Sequence, residues 1–139
     1  MMAHLKKTAD QMGLPFGARH MTFNSRRAQE LGKWAEQRGL GDAFHRAVFE
    51  AYFSDGKNIG RLPVLLEIVQ AIGGDPEEAG IALNDRHFRA AVDQDWQRSR
   101  SMGISAVPTF VANGRRLVGA QRYQNLARLI TQAPQDPFA

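Results

Sequence analysis

Gly103-Ile-Ser-Ala-Val-Pro-Thr-Phe-Val-Ala-Asn-Gly-Arg-Arg-Leu-Val-Gly-Ala120 decides the fold of this chain. The stretch ends a helix, sets a proline at the entry to a strand, and makes a hairpin. Asn113-Gly114 separates two short runs, Thr109 to Ala112 and Arg115 to Val118, and Asn-Gly is the pair that best tolerates the positive φ angles of a tight turn. Pro108 cannot donate to a ladder, so it belongs at the first residue of the strand, and it pushes Val107 toward an extended conformation. Whether the Val107-Pro108 bond is cis stays open on the sequence.

Outward from the hairpin the pattern is helical. Residues 3 to 12 predict a first helix that stops at Gly13 and Pro15. A second starts near Asn24-Ser25, whose side chains can cap free amides, and carries Ala28, Leu31, Trp34 and Ala35 on one stripe before Gly39. From 42 to 53 a third shows Phe44, Val48 and Tyr52 at intervals of four. Phe49 and Phe53 widen that face, which predicts the buried centre of a bundle. Leu62 to Ile72 form a fourth helix with Pro63 in its first turn, closed by Gly73-Gly74. Asp75-Pro76-Glu77-Glu78 is a compact helix start. A sixth helix is expected over 85–102, with Phe88, Val92 and Trp96 along one side, so that Trp34 and Trp96 both read as core. Tyr123, Leu126, Ala127 and Ile130 form the stripe of a last helix, and residues 132–139 read as a frayed tail.

A long helix, then Gly-Ile-x-x-Val-Pro-x-Phe, a hairpin, Gly-Ala-Gln and a final helix resemble the carboxyl half of a DsbA-like thioredoxin-fold protein. The similarity is to the FrnE and 2-hydroxychromene-2-carboxylate isomerase branch. Gly13-Leu14-Pro15-Phe16, Asn24-Ser25, Ala51-Tyr52-Phe53 and Ile59-Gly60 fall in the order expected of that branch's helical insertion domain. The resemblance covers nearly all of residues 3 to 131. It implies that Val107 and Pro108 match the cis-proline loop facing the active site, and that Asn24 and Ser25 lie in a region that related enzymes use near their substrate. Helix capping accounts for Asn24 and Ser25 without any ligand.

The resemblance also exposes a lack. Family members open with a strand, a helix carrying Cys-x-x-Cys or a serine variant, and a second strand, whereas the chain is expected to start after them, as a truncated member. Its 139 residues contain no cysteine. A thiolate is the nucleophile of dithiol chemistry, so the chain by itself cannot perform that exchange. No catalytic residue is therefore assigned, and Val107, Pro108, Asn24 and Ser25 stand as candidate substrate-binding residues.

Composition sets the remaining bounds. At 139 residues the chain is long enough for a real core, and 43% hydrophobic and 23% charged residues are ordinary for a globular protein. No apolar run is long enough for a membrane span, and the start lacks the apolar segment of a secretory signal, so a cytoplasmic location is expected. Eighteen Lys and Arg against fourteen Asp and Glu give a net charge of +4. Lys6-Lys7, Arg26-Arg27, Arg98 with Arg100, and Arg115-Arg116 read as a scattered, solvated basic surface rather than a nucleic-acid footprint. His4, His20, His45 and His87 have no metal-ligand spacing, Gly39-Leu40-Gly41 lacks the strand a dinucleotide site needs, and Asp93 with Asp95 do not face each other.

The expected fold is mainly α (α+β): a single domain over 1–139, with a helical DsbA-type insertion region at 3–102 and an incomplete thioredoxin fold at 103–131. Phe110, Val111 and Ala112 are consecutive and apolar, the pattern of a strand covered on both faces. Two strands alone are marginal in water, and the edge of the first would lack a neighbour. A homo-oligomer, a dimer or larger, or a partner chain on that edge is expected. Two functions of different class follow: a truncated thiol-disulfide oxidoreductase family protein inactive alone in dithiol exchange, or a non-catalytic binding and assembly module. The family resemblance leaves room for a glutathione-dependent isomerase or transferase if a missing half is supplied. Peptide or small-molecule thiol is the implied partner, glutathione the only cofactor in view, and neither nucleic acid nor membrane is expected.

Overall fold

The computed structural model describes residues 2–18 and 21–132, so the tail expected over 132–139 lies, apart from Gln132, outside the described residues. Among them are seven helices and one two-stranded antiparallel sheet: α1 (Met2–Gln11), α2 (Arg26–Gln37), α3 (Gly41–Phe49), α4 (Leu62–Ala71), α5 (Pro76–Asn84), α6 (Arg89–Ser101), β1 (Thr109–Ala112), β2 (Arg115–Val118) and α7 (Tyr123–Thr131). The chain divides into two compact units, residues 1–94 and 95–139, and the division falls within α6.

The first unit is helical because its apolar residues recur at helical spacing and its turns carry the stop residues. Leu31, Trp34 and Ala35 of α2, Phe44 of α3, Leu65 and Val69 of α4, and Ala79 of α5 are buried together in one cluster. Gly39, at φ 70°, ends α2 in the left-handed conformation that a glycine adopts without strain. At the start of α5 the Asp75 carboxylate accepts from the amides of Glu77 (2.8 Å) and Glu78 (3.3 Å), and Pro76 fills the first helical position. Gly74 is required by packing: a Cβ there would lie 2.8 Å from Val69 Cγ1 and 3.2 Å from the Trp34 ring.

α3 does not simply stop at Phe49. It widens into a π-helical turn over Glu50–Ser54, whose Phe53 carbonyl accepts from the Gly17 amide at 2.8 Å. Gly17 lies so close that a Cβ would come 2.0 Å from the Ser54 carbonyl oxygen.

An ion network ties α2 to the α5–α6 turn. Glu30 is 1% exposed, the one charged side chain buried among the described residues. It accepts from Arg86 through Nε (2.9 Å) and Nη2 (2.7 Å), and from Arg26 Nε at 2.7 Å, while Arg26 Nη2 reaches Asp93 at 2.7 Å. The Arg86 guanidinium, followed by that of Arg26, holds the Glu30 carboxyl below the usual carboxylate range against the opposing effect of burial. Arg86 reaches it from a left-handed backbone, φ 54°, and this breaks the helix expected over 85–102, so α6 begins only at Arg89.

In the second unit β1 and β2 pair in the register Thr109 with Val118 through Ala112 with Arg115, joined by Asn113 (φ 52°) and Gly114 (φ 71°). The positive φ pair is that of the turn whose twist matches the strands. Asn113 does more than turn the chain. Its Nδ2 donates to the carbonyls of Leu129 (3.2 Å), Ile130 (2.9 Å) and Gln132 (3.0 Å), closing the carboxyl end of α7 onto the hairpin. Phe110, Ala112, Arg115 and Leu117 share the half-buried face of the hairpin, and α7 packs on the sheet with Leu129 buried. The opposite face, with Val111, Arg116 and Val118, is exposed.

Three expectations about burial are corrected here. Trp96 is 43% exposed rather than core, because in α6 only Val92 is buried. Phe49 is 62% exposed, since the π-helical turn begins directly after it and α3 is covered on its Phe44 side instead. On α7 Tyr123 and Ile130 are exposed, and the helix buries Leu129, the residue rotated toward the hairpin.

Candidate functional site

The loop from Gly103 to Pro108 is held from both ends. Arg116 Nη1 donates to the Gly103 carbonyl at 2.6 Å, and Thr109 Oγ1 donates to the Ala106 carbonyl at 2.6 Å. The Val107–Pro108 peptide is cis. Val107 is 90% exposed, the most exposed large apolar residue described.

β1 continues this loop with an open edge. Phe110 and Ala112 are bonded pairs with Leu117 and Arg115, and the Gly119 amide extends the ladder to the Pro108 carbonyl at 2.8 Å. In an antiparallel ladder the alternate residues point their backbone groups the other way. The amides and carbonyls of Thr109 and Val111 therefore face outward, and no described residue pairs with them. Thus the exposed Val107 backbone and the outward groups of Thr109 and Val111 form one continuous, unpaired row.

The first unit holds a separate feature. Between α2, α3 and the π-helical turn lies a cavity of about 390 Å³, walled by Phe23, Phe44, Val48, Phe49, Tyr52, Phe53 and Ile59, with Thr22, Ser25, Gln29 and His45 supplying polar groups. The rings meet one another: Phe23 and Tyr52 edge-on at 6.2 Å, Tyr52 and Phe53 edge-on at 4.8 Å, Phe49 and Phe53 stacked at 6.1 Å. Predominantly apolar walls with a few polar groups suit a small organic ligand.

Of the four candidate residues, Asn24 and Ser25 belong to the first unit and Val107 and Pro108 to the second. Asn24 Oδ1 accepts from the Arg26 amide, the first of α2, at 2.8 Å, whereas the N-cap residue Ser25 makes no side-chain bond to a helix amide, contrary to the expectation that both side chains cap the helix. Ser25 Oγ accepts from Gln29 Nε2 at 2.9 Å and lines the cavity. In the sequence the aromatic walls are hidden as a site, because Phe44, Val48 and Tyr52 at helical spacing look like an ordinary core face. The signal that distinguishes them is the density of rings between Phe44 and Phe53, more than one helix face can bury. Among the described residues no group of three or more His, Cys, Asp and Glu could hold a metal ion, and no helix is long and apolar enough to cross a membrane.

Comparison with known proteins gives this geometry a context. The solved structure of the cytosolic disulfide reductase DsbM from Pseudomonas aeruginosa is similar over 94% of this chain and 69% of its own, with a TM-score of 0.65 and 26% identity. The same protein with GSH aligns over 92% of this chain and 67% of its own, at a TM-score of 0.64 and 24% identity. The uncharacterized protein YwbO of Bacillus subtilis is 27% identical over 88 residues, 63% of this chain, and the matched region is 44% of that relative's length. A family model, the DSBA-like thioredoxin domain, matches residues 1–131. The chain thus belongs to the DsbA-like thioredoxin family, a family of thiol-disulfide oxidoreductases.

Proposed function

We propose that this chain serves thiol-disulfide exchange as a docking part, in the FrnE and 2-hydroxychromene-2-carboxylate isomerase branch of its family, with the sulfur chemistry supplied from outside its 139 residues. The observation that carries the reading is the row of outward backbone groups from Val107 to Val111. An extended peptide can add to such a row as another strand, taking affinity from the main chain and leaving side-chain choice loose. A reductase of disulfides needs that tolerance, since its substrates share a Cys and little else. Pro108 has no amide, which leaves Val107's carbonyl and Thr109's amide and carbonyl to the incoming strand.

The absence of cysteine decides what the chain does not do alone. With no thiolate there is no attack on a disulfide sulfur and no mixed disulfide. The aromatic cavity with Ser25 at its wall, and Asn24 beside it, fits a small organic thiol of the glutathione type, and the DsbM structure solved with GSH supports that class of ligand. A cytoplasmic location accords with the same relative, described as cytosolic.

Two measurements test the reading. The full chain with reduced glutathione should not accelerate reduction of a protein disulfide above buffer; acceleration would overturn it. A disulfide-containing β-strand peptide should shift the amide NMR signals of residues 107–111, and Val111→Pro, which removes one outward amide and leaves the β2 ladder intact, should weaken that binding. Shifts spread elsewhere, or binding unchanged in Val111→Pro, would refute docking on this edge.

The exposed face of Val111 (45%) and Val118 (55%) favours a second reading, a binding and assembly module in which another copy covers the hairpin. Sizing at tens of micromolar separates the two. A dimer lost in Val111→Lys supports assembly, and a monomer at that concentration excludes it.

A further inference from the structure

The charges of this chain are segregated by unit. Residues 1–94 carry equal numbers of basic and acidic side chains, so the net +4 sits on residues 95–139, where six arginines meet two aspartates. From Trp96 to Gln132 there is no acidic residue at all.

Within that unit the hairpin and α7 enclose an open groove of about 610 Å³. Arg115, Arg116, Asn125, Arg128 and Gln132 border it, Leu117 and Leu129 form its apolar floor, and among the described residues no carboxylate lines it. Arg115 Nε is buried and has no hydrogen-bond partner among the described residues. The same guanidinium donates through Nη1 to Gln132 Oε1, and Arg128 donates through Nη2 to Asn125 Oδ1 at 3.3 Å and through Nε to the Gln124 carbonyl at 3.4 Å. Among the described residues both arginines are thus held by neutral amide and carbonyl oxygens, in positions where an anion would bind each more strongly. Arg116 also borders the groove, but its guanidinium is engaged elsewhere, donating through Nη1 to the Gly103 carbonyl at 2.6 Å.

We propose that this groove is a binding site for a small phosphate monoester. Two guanidiniums match the charge of such a group, close to −2 at neutral pH, and the planar fork of arginine suits its oxygens bidentately. The cavity exceeds the size of inorganic phosphate, and the leucine floor gives the organic part of the ester an apolar bed. Gln132 holds Arg115 in place until the phosphate displaces it, which brings Nε into use. The site is independent of the β1 edge: its residues come from the hairpin turn, β2, α7 and Gln132 just after it.

The test is titration of the full chain with phenyl phosphate at low salt, followed by calorimetry and amide NMR, with benzoate as the singly charged comparison. Phenyl phosphate should bind more tightly than benzoate and shift residues 114–117 and 125–132. Arg115→Gln and Arg128→Gln should each weaken it about tenfold, the effect of losing a charge-assisted contact, and Arg98→Gln in the same unit should not. Circular dichroism confirms that each variant is folded, and Arg128→Gln, on the exposed side of α7, keeps the test decisive if Arg115→Gln unfolds. Equal weakening by Arg98→Gln would overturn the proposal in favour of diffuse charge attraction. So would shifts outside the groove, or no binding of phenyl phosphate at millimolar concentration.

Discussion

Replacing Arg86 by methionine will destabilise the first unit by about 2–4 kcal/mol, and the structure says why. Glu30 is buried and keeps its charge through three hydrogen bonds, two of them from Arg86. A hydrogen bond to a charged group contributes about 1.5–3 kcal/mol, so losing both would cost about 3–6 kcal/mol. Arg86 is 46% exposed, however, and water can enter where its head group stood, while Arg26 keeps its own bond to Glu30. That discount gives the lower range, near the cost of breaking a buried ion pair. Methionine retains a side chain at the same left-handed backbone position, so the conformational cost at φ 54° is present in both proteins and cancels.

Urea unfolding followed by the fluorescence of buried Trp34, in a Trp96→Phe background, reads the difference. Acid adds an internal check. Glu30's folded pKa lies below its unfolded value, so the unfolded chain binds more protons, and the stabilisation is complete above the unfolded value and lost as pH falls through the folded one. The gap between wild type and Arg86→Met should therefore be widest near neutrality and narrow below about pH 4.5, the ordinary carboxylate value. A difference under about 1 kcal/mol at pH 7, or one that stays constant as pH falls, would refute the account of Glu30 as a charged group held by Arg86.

Three further outcomes follow from particular contacts. Asn113→Gly keeps the positive φ of the turn and removes the three bonds to α7, so it should cost about 1–2 kcal/mol and raise amide exchange at residues 129–132, read by NMR. Gly17→Ala should detach residues 16–18 from the π-helical turn, because the Cβ cannot coexist with the Ser54 carbonyl; the amide of residue 17, bonded to the Phe53 carbonyl in the wild type, should then exchange freely. Asp75→Ala should cost about 1 kcal/mol in thermal unfolding through loss of the α5 cap, and Asp75→Asn only a few tenths.

Much of this fold can be read in the sequence where local chemistry determines structure. Asn113-Gly114 marks the hairpin, Asp75-Pro76 the start of α5, and Gly39 and Gly73 the ends of α2 and α4, since each residue type satisfies a backbone need at its own position. Reading fails where the determinant is distant. The left-handed turn at Arg86 answers to Glu30, which lies 56 residues earlier, and no neighbour of Arg86 announces it. Trp96, Tyr123 and Ile130 look like core because periodicity identifies an apolar face without identifying what covers it. The aromatic cavity follows the same logic, for it depends on where α2 lies against α3. The charge segregation is different: it stands in the sequence itself, and is hidden only when basic residues are read in pairs rather than tallied by unit.

The π-helical turn at 50–54 has a consequence for how the aromatic cavity can vary. Such a turn accommodates one residue more than regular helix would over the same rise, and everything after it is rotated relative to what came before. Tyr52 and Phe53 therefore fan out from Phe44 and Phe49 by virtue of chain length, not ring identity. Exchanging one ring for another would retune the cavity's contour, whereas deleting a single residue between Glu50 and Ser54 would swing the fan shut while leaving every aromatic in the chain.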